Sequence, residues 1–206
     1  MLIKETKYDD NQTRPHWMNW LEPIRYLNEN QSKFFLDNLN FEKLDLNSNK
    51  IKLLPILKKE LEAKKSNIKS NFISSSDGTV AVASNSLLVD NLIKFLFDIS
   101  NEMYKMKSNP VFSVIAIGGY GRGELAPSSD LDIMFLLPND LSKKNLSDLE
   151  KQIETILYYL WDLGFTIGHS TRNINSVLND AAKDINLLTS LLDNRFVVGD
   201  EQLFLS

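Results

Sequence analysis

The sequence predicts an α/β or α+β core over residues 86–206, preceded by a helical extension and linker over residues 1–85. Three observations carry this expectation. Ser86 to Lys107 keeps one helical face apolar for about five turns. Two short apolar runs, Phe112 to Ile117 (FSVIAI) and Leu131 to Leu137 (LDIMFLL), flank a glycine cluster and read as buried strands. A second long amphipathic segment follows. The order helix, strand, strand, helix, strand, helix, helix packs helices on a small sheet.

The elements follow in chain order. In residues 1–50, Trp17, Trp20, Leu21, Ile24 and Leu27 recur at helical spacing, as do Phe34, Phe35, Leu39 and Phe41, with Pro15 and Pro23 interrupting. Short helices are expected there. Ile51 to Lys65 reads as a helix on Leu53, Leu54, Leu57 and Leu61, with Pro55 near its first turn. The polar stretch KKSNIKSNFISSSDG, residues 64–78, reads as a mobile linker. In Ser86 to Lys107 the apolar face is Leu88, Leu92, Phe95, Leu96, Ile99 and Met103, and Asn109-Pro110 ends the helix. Pro138-Asn139 closes the second strand. Ser147 and Glu150 have capping-box spacing ahead of a helix lined by Leu149, Ile153, Ile156, Leu157 and Leu160. Gly164 is placed to end it. Phe165 to Ser170 is a third strand candidate, and Ile174 to Ala182 and Asp184 to Arg195 read as two further helices.

Composition narrows the function classes. With 23 basic and 27 acidic residues the formal net charge is −4, so the basic excess usual in nucleic-acid or anionic-membrane binders is missing. There is no cysteine, which excludes disulfides and thiolate metal sites and fits a reducing cytosol. No apolar run approaches the roughly 18–20 residues that span a bilayer. The N-terminal stretch lacks the hydrophobic core of a signal peptide. The expectation is a soluble cytoplasmic protein of ordinary globular composition.

The chemistry concentrates in GGYGRGELAPSSDLDIMFLL, residues 118–137, which holds four of the eight glycines within six residues. Asp130 and Asp132 open an apolar strand. Residues i and i+2 of a strand share a face, with Cα atoms about 6.5–7 Å apart. Two carboxylates so placed repel each other and lose solvation. A divalent cation relieves both penalties, and an all-oxygen donor pair suits Mg²⁺ completed by phosphate oxygens. Taken alone, Asp-x-Asp is more often a solvated strand face with two surface acids. The run Gly118, Gly119, Tyr120, Gly121, Arg122, Gly123 allows close backbone approach to an anion, with Arg122 adding charge. It is neither G-x-G-x-x-G, since Glu124 replaces the last glycine, nor a Walker A loop. By itself it is also compatible with a tight structural turn.

A strand ending in Gly-Gly, followed ten residues later by an apolar strand opening Asp-Leu-Asp, resembles the nucleotidyltransferase fold of the DNA polymerase β type. That resemblance implies an α+β fold with a small mixed sheet flanked by helices. More narrowly, residues 118–137 resemble the signature of the PII-protein uridylyltransferase family, the bifunctional uridylyltransferase/uridylyl-removing enzymes. Downstream, LWDLG, GHSTR, the helix around DINLLTSLL and RFVVGD are similar to that family's text, and the likeness covers about residues 75–204. The resemblance implies transfer of UMP from UTP to a tyrosine of the PII nitrogen-regulatory protein, with Mg²⁺ and release of pyrophosphate. It implies metal-binding catalytic residues at Asp130 and Asp132. It implies nucleotide binding by Gly118, Gly119, Gly121, Arg122, Ser129, His169, Arg172 and Arg195.

Three departures stand beside it. The strand Phe165 to Ser170 has Thr166 and no acid where the superfamily commonly has a third carboxylate. Other nucleotidyltransferases more often have Ser at the second glycine. The HD and ACT domains of the full-length family are not expected in this chain. Read from the residues alone, His169 is as readily structural, and Arg172 and Arg195 as readily form ion pairs. Two other functions remain open: a related AMP-transferring enzyme, and a catalytically silent nucleotide-binding or PII-interacting module.

Overall fold

A computed structural model describes residues 50–104 and 112–206. The helices expected before residue 50 and the Asn109-Pro110 stop lie outside the described residues.

Two long helices lead into the sheet. Helix α1 (Lys50–Ser75) and helix α2 (Gly78–Tyr104) form a hairpin. The linker expected over residues 64–78 is therefore mostly helix. Its reversal is confined to Ser76, at φ 57°, and Asp77, whose carboxylate accepts from the N–H groups of Thr79 and Val80 at 3.0 and 3.1 Å. Tertiary contacts override the polar composition. Ile68 packs on the core, and the Lys65 ammonium lies 4.6 Å from the centre of the Phe165 ring. Burial lowers the Lys65 pKa. Helix α2 begins eight residues ahead of the sequence expectation, so residue 85 falls inside it. Leu53, Leu57 and Leu61 of α1 join the same core as Leu92, Leu96 and Ile99 of α2. By length and composition α2 is apolar enough to cross a bilayer, but 67% of its most apolar window is buried within the protein, as in a core helix.

The sheet has four strands in the order β3-β2-β1-β4, where β1 is Ser113–Ala116, β2 Leu131–Leu137, β3 Ile167–Asn173 and β4 Arg195–Gly199. Strand β1 runs antiparallel to β2 and to β4, while β2 and β3 are parallel. This is the small mixed sheet expected, with one strand more. The expected helix over Asp184 to Arg195 stops short, and Arg195, with the unassigned residues 196–199, belongs to β4. The helical pattern ends at Leu192, and RFVVG then pairs with β1 with a bulge between Val114 and Ile115.

Period-two alternation gives the sheet two unlike faces. Val114, Ala116, Ile133 and Phe135 point into the main core, under α1, α2 and helix α4 (Lys143–Asp162). Ile115, Met134 and Leu136 point the other way, under the short helices α5 (Ile174–Ala181), α6 (Ile185–Leu192) and α7 (Glu201–Leu205). The cap of α4 is Ser142, accepting from the Asn145 N–H at 3.2 Å, so the expected Ser147 start falls one turn inside the helix. Its far end closes as anticipated at Gly164. The Phe165 and Gly164 N–H groups donate to the Leu160 and Trp161 carbonyls at 3.1 and 2.9 Å, a Schellman closure.

Candidate active site

Strand β1 ends at Ala116, and the chain turns at once into a single helical turn, α3 (Gly118–Gly121). Gly118 sits at φ 59°, a conformation that penalises any residue with a Cβ. The first intrahelical bond is Gly121 N–H to the Ile117 carbonyl at 3.1 Å. The N–H groups of Gly118, Gly119 and Tyr120 precede it and have no intrahelical acceptor. The Ile117 N–H donates to the Asp132 carbonyl at 3.1 Å, which fixes the glycine turn against the start of β2.

Asp132 occupies the second position of β2, on the same face as Met134 and Leu136. Its carboxylate lies between two glycines. A Cβ at Gly118 would sit 3.7 Å from Oδ2, and a Cβ at Gly168, its register partner on β3, would overlap Oδ1. Asp130, just before the strand, is exposed. Burial raises the Asp132 pKa above its ordinary 3.8, and the charge of Asp130 raises it further. Among the described residues no ion pair or side-chain hydrogen bond involves either carboxylate. Asp132, half-buried, therefore bears the desolvation cost, while the exposed Asp130 stays solvated.

The remaining predicted residues divide. Gly119 is on the turn. Gly121 is buried, and a Cβ there would overlap the Asp193 carbonyl, so this glycine lets the α6–β4 connection close on the turn. Arg122 is held by Glu124 at 2.8 Å and Asp193 at 2.6 Å. Ser129 is exposed in the loop before β2, its N–H on the Ala126 carbonyl at 3.1 Å. Arg172 pairs with Asp180 of α5 and opposes Leu136. It shares the Asp132 face but lies four residues along β3 from Gly168, about 13 Å. His169 opposes Ile133, which faces the main core, and its ring lies 5.8 Å from that of Trp161 on α4. Strand alternation puts it on the other side of the sheet from the Asp132 carboxylate.

Arg195 also points away from the carboxylates. It grips Asp90 of α2 through two bonds, at 2.6 and 3.1 Å, and donates to the Tyr120 and Gly121 carbonyls at 3.1 and 3.3 Å. The Tyr120 hydroxyl donates to the same Asp90 carboxylate at 2.6 Å. Burial disfavours the Arg195 charge, but Asp90 outweighs it and the pKa rises. Burial, reinforced by Asp90, pushes the Tyr120 pKa well up. Three elements are thereby tied behind the glycine turn. Sequence reasoning missed Asp90, Tyr120 and Asp193 as supports, because no local pattern marks a partner 105 residues away. It also missed Gly168, for which a signal existed: glycine inside a strand marks a close approach.

A small mixed sheet with a glycine turn after its first strand and paired carboxylates opening the next is the arrangement expected of a nucleotidyltransferase domain. Residues 98–184 match the nucleotidyltransferase domain family, and the chain carries that domain. It is 33% identical, over 174 residues, to the bifunctional uridylyltransferase/uridylyl-removing enzyme of Rhodospirillum rubrum, a match covering 82% of this chain and 18% of that protein. Against the enzyme of the same name from Novosphingobium aromaticivorans it is 41% identical over 133 residues, covering 63% of this chain and 14% of the relative. The chain spans less than a fifth of the length of either relative.

Proposed function

We propose that this domain transfers UMP from UTP to a tyrosine hydroxyl of the PII signalling protein in the cytoplasm. The tyrosine oxygen forms a bond to the α-phosphorus, the bond from that phosphorus to the bridging oxygen breaks, and pyrophosphate leaves as the hydroxyl loses its proton. The observation that carries this reading is the Asp130/Asp132 pair beside the glycine turn, in a chain 33–41% identical to enzymes named for uridylyl transfer.

The donor set fits Mg²⁺. Two carboxylates of one sign, one of them raised by burial and by its neighbour, gain from a hard cation, and Mg²⁺ characteristically takes one or two protein carboxylates plus phosphate oxygens. Bound there, the metal would neutralise charge on the attacking and leaving oxygens. Asp132 and Asp130 would hold it. The N–H groups of Gly118, Gly119 and Tyr120 orient the triphosphate beside them, electrostatic assistance organised before the reaction starts. Arg195 and Asp90 keep that turn in place from behind.

The test supplies UTP labelled at the α-phosphorus, Mg²⁺ and PII, with ATP as competitor. Label should appear on a PII tyrosine, depend on Mg²⁺, and vanish in Asp132→Ala while the fold persists. Transfer retained in that variant refutes the site. Preferential transfer from ATP assigns the AMP-transferring alternative. One observation supports a second reading: among the described residues no group of three or more His, Asp or Glu side chains is arranged to hold a metal ion. Mg²⁺-dependent UTP binding without turnover would then assign a silent nucleotide-binding or PII-interacting module.

A further inference from the structure

We infer that Gly168 is a positioning residue: its missing side chain is the space in which the Asp132 carboxylate lies. The inference rests on the reading of Asp132 as a metal ligand and adds a residue to it.

The parallel register places Gly168 opposite Asp132, on the strand next to the site. A Cβ built there would overlap Oδ1 of Asp132 and reach its Cγ at 3.4 Å, and no other described atom beyond the glycine's chain neighbours lies within 4 Å. Conformation does not demand glycine here, because Gly168 is absent from the residues at positive φ. Flexibility is also a poor explanation, since glycine in a strand interior costs about 0.5–1 kcal/mol relative to alanine. What glycine supplies is room on one side of one carboxylate. On the other side a Cβ at Gly118 would lie 3.7 Å from Oδ2, an ordinary contact distance, so the crowding is specific to position 168. With no Cβ on either flank, the carboxylate lies across the β2–β3 ladder. An alanine methyl at 168 would force the Asp132 carboxylate to rotate out of the position it now occupies.

The experiment measures Mn²⁺ affinity by electron paramagnetic resonance, with Mn²⁺ as probe, and folding by urea titration. Wild type, Gly168→Ala, Asp132→Ala and the double variant are compared. Gly168→Ala should lower Mn²⁺ affinity about ten- to hundredfold, the usual effect of disturbing a ligand's support. In the Asp132→Ala background the same substitution should change nothing further, because the atom it displaces is gone. If wild type and Asp132→Ala bind Mn²⁺ alike, the metal-ligand reading itself fails. If Asp132→Ala loses the metal and a folded Gly168→Ala keeps wild-type affinity, only the role of Gly168 is overturned. Should Gly168→Ala not fold, folding of the double variant upholds the clash with the carboxylate, and failure of both overturns it.

Discussion

Replacing Asp90 by alanine should destabilise this protein by about 3–5 kcal/mol, far more than deleting an exposed charge. Asp90 is 5% exposed, and the side chains of Arg195 and Asp90 are 17% and 7% exposed, so water replaces little of what the carboxylate supplies. Deleting it removes two guanidinium bonds and leaves the Tyr120 hydroxyl without its acceptor. Breaking a buried pair from one side costs about 3–5 kcal/mol, because the remaining charge stays buried. Tyr120→Phe leaves Arg195 on both Asp90 oxygens and should cost about 1 kcal/mol, the net value of one hydrogen bond. Removing both ends of the pair, as Asp90→Leu/Arg195→Met, should cost much less than the sum of the two single changes. Urea titrations with unchanged slope measure these variants, and the singles Asp90→Leu and Arg195→Met, against wild type. A loss below about 1 kcal/mol in Asp90→Ala, the value typical of an exposed pair, would refute the buried-network argument.

Other consequences can be checked on the same footing. Because the folded pKa of Asp132 is raised, its ionisation costs stability, a cost absent below 3.8 and complete once pH has risen past the raised value. Asp132→Asn should therefore have a higher urea midpoint than wild type at neutral pH without Mg²⁺, and the gap should close in acid. Mg²⁺ should raise the wild-type midpoint and leave the variant's unchanged. Gly121→Ala drives a methyl into the Asp193 backbone and should cost about 1–3 kcal/mol or more by calorimetry, since backbone cannot rotate aside as a side chain can. Leu57→Ala, at a fully buried position of α1, should cost about 2–5 kcal/mol in one cooperative transition; an independent early transition would mean α1 folds apart from the sheet.

The sequence revealed most where local rules and tertiary demands coincide. Leu131 to Leu137 is apolar, β-rich and bounded by a loop and a proline, and it is a strand at those bounds. Both acids were legible because charge at the mouth of an apolar strand contradicts its pattern. RFVVG went unrecognised as a strand, with Arg195 assigned to the helix before it, because five residues carry too little periodicity to stand out. The linker was misread for the opposite reason: Ile68 and Lys65 find partners on the core and on Phe165, which composition does not reveal. Arg195 was legible as important but not as to what it holds.

The three arginines near the site differ in how firmly they are held. Arg195 is committed to a buried carboxylate, and releasing it for a nucleotide would cost what Asp90→Ala costs. Arg172 has an exposed partner, but it lies about 13 Å along β3 from the carboxylates. Arg122 differs from both. It follows the glycine turn directly, and its partners Glu124 and Asp193 are 44% and 37% exposed. Ion pairs that wet are worth about 0–1 kcal/mol, less than a charge-assisted bond to a phosphate, so a triphosphate can outbid them. Arg122→Ala should therefore weaken Mg²⁺–UTP binding about tenfold in a calorimetric titration, with Arg172→Ala within about twofold of wild type. Equal losses in the two variants would mean that distance from the acids does not decide which arginine meets the phosphates, and the ranking would fall.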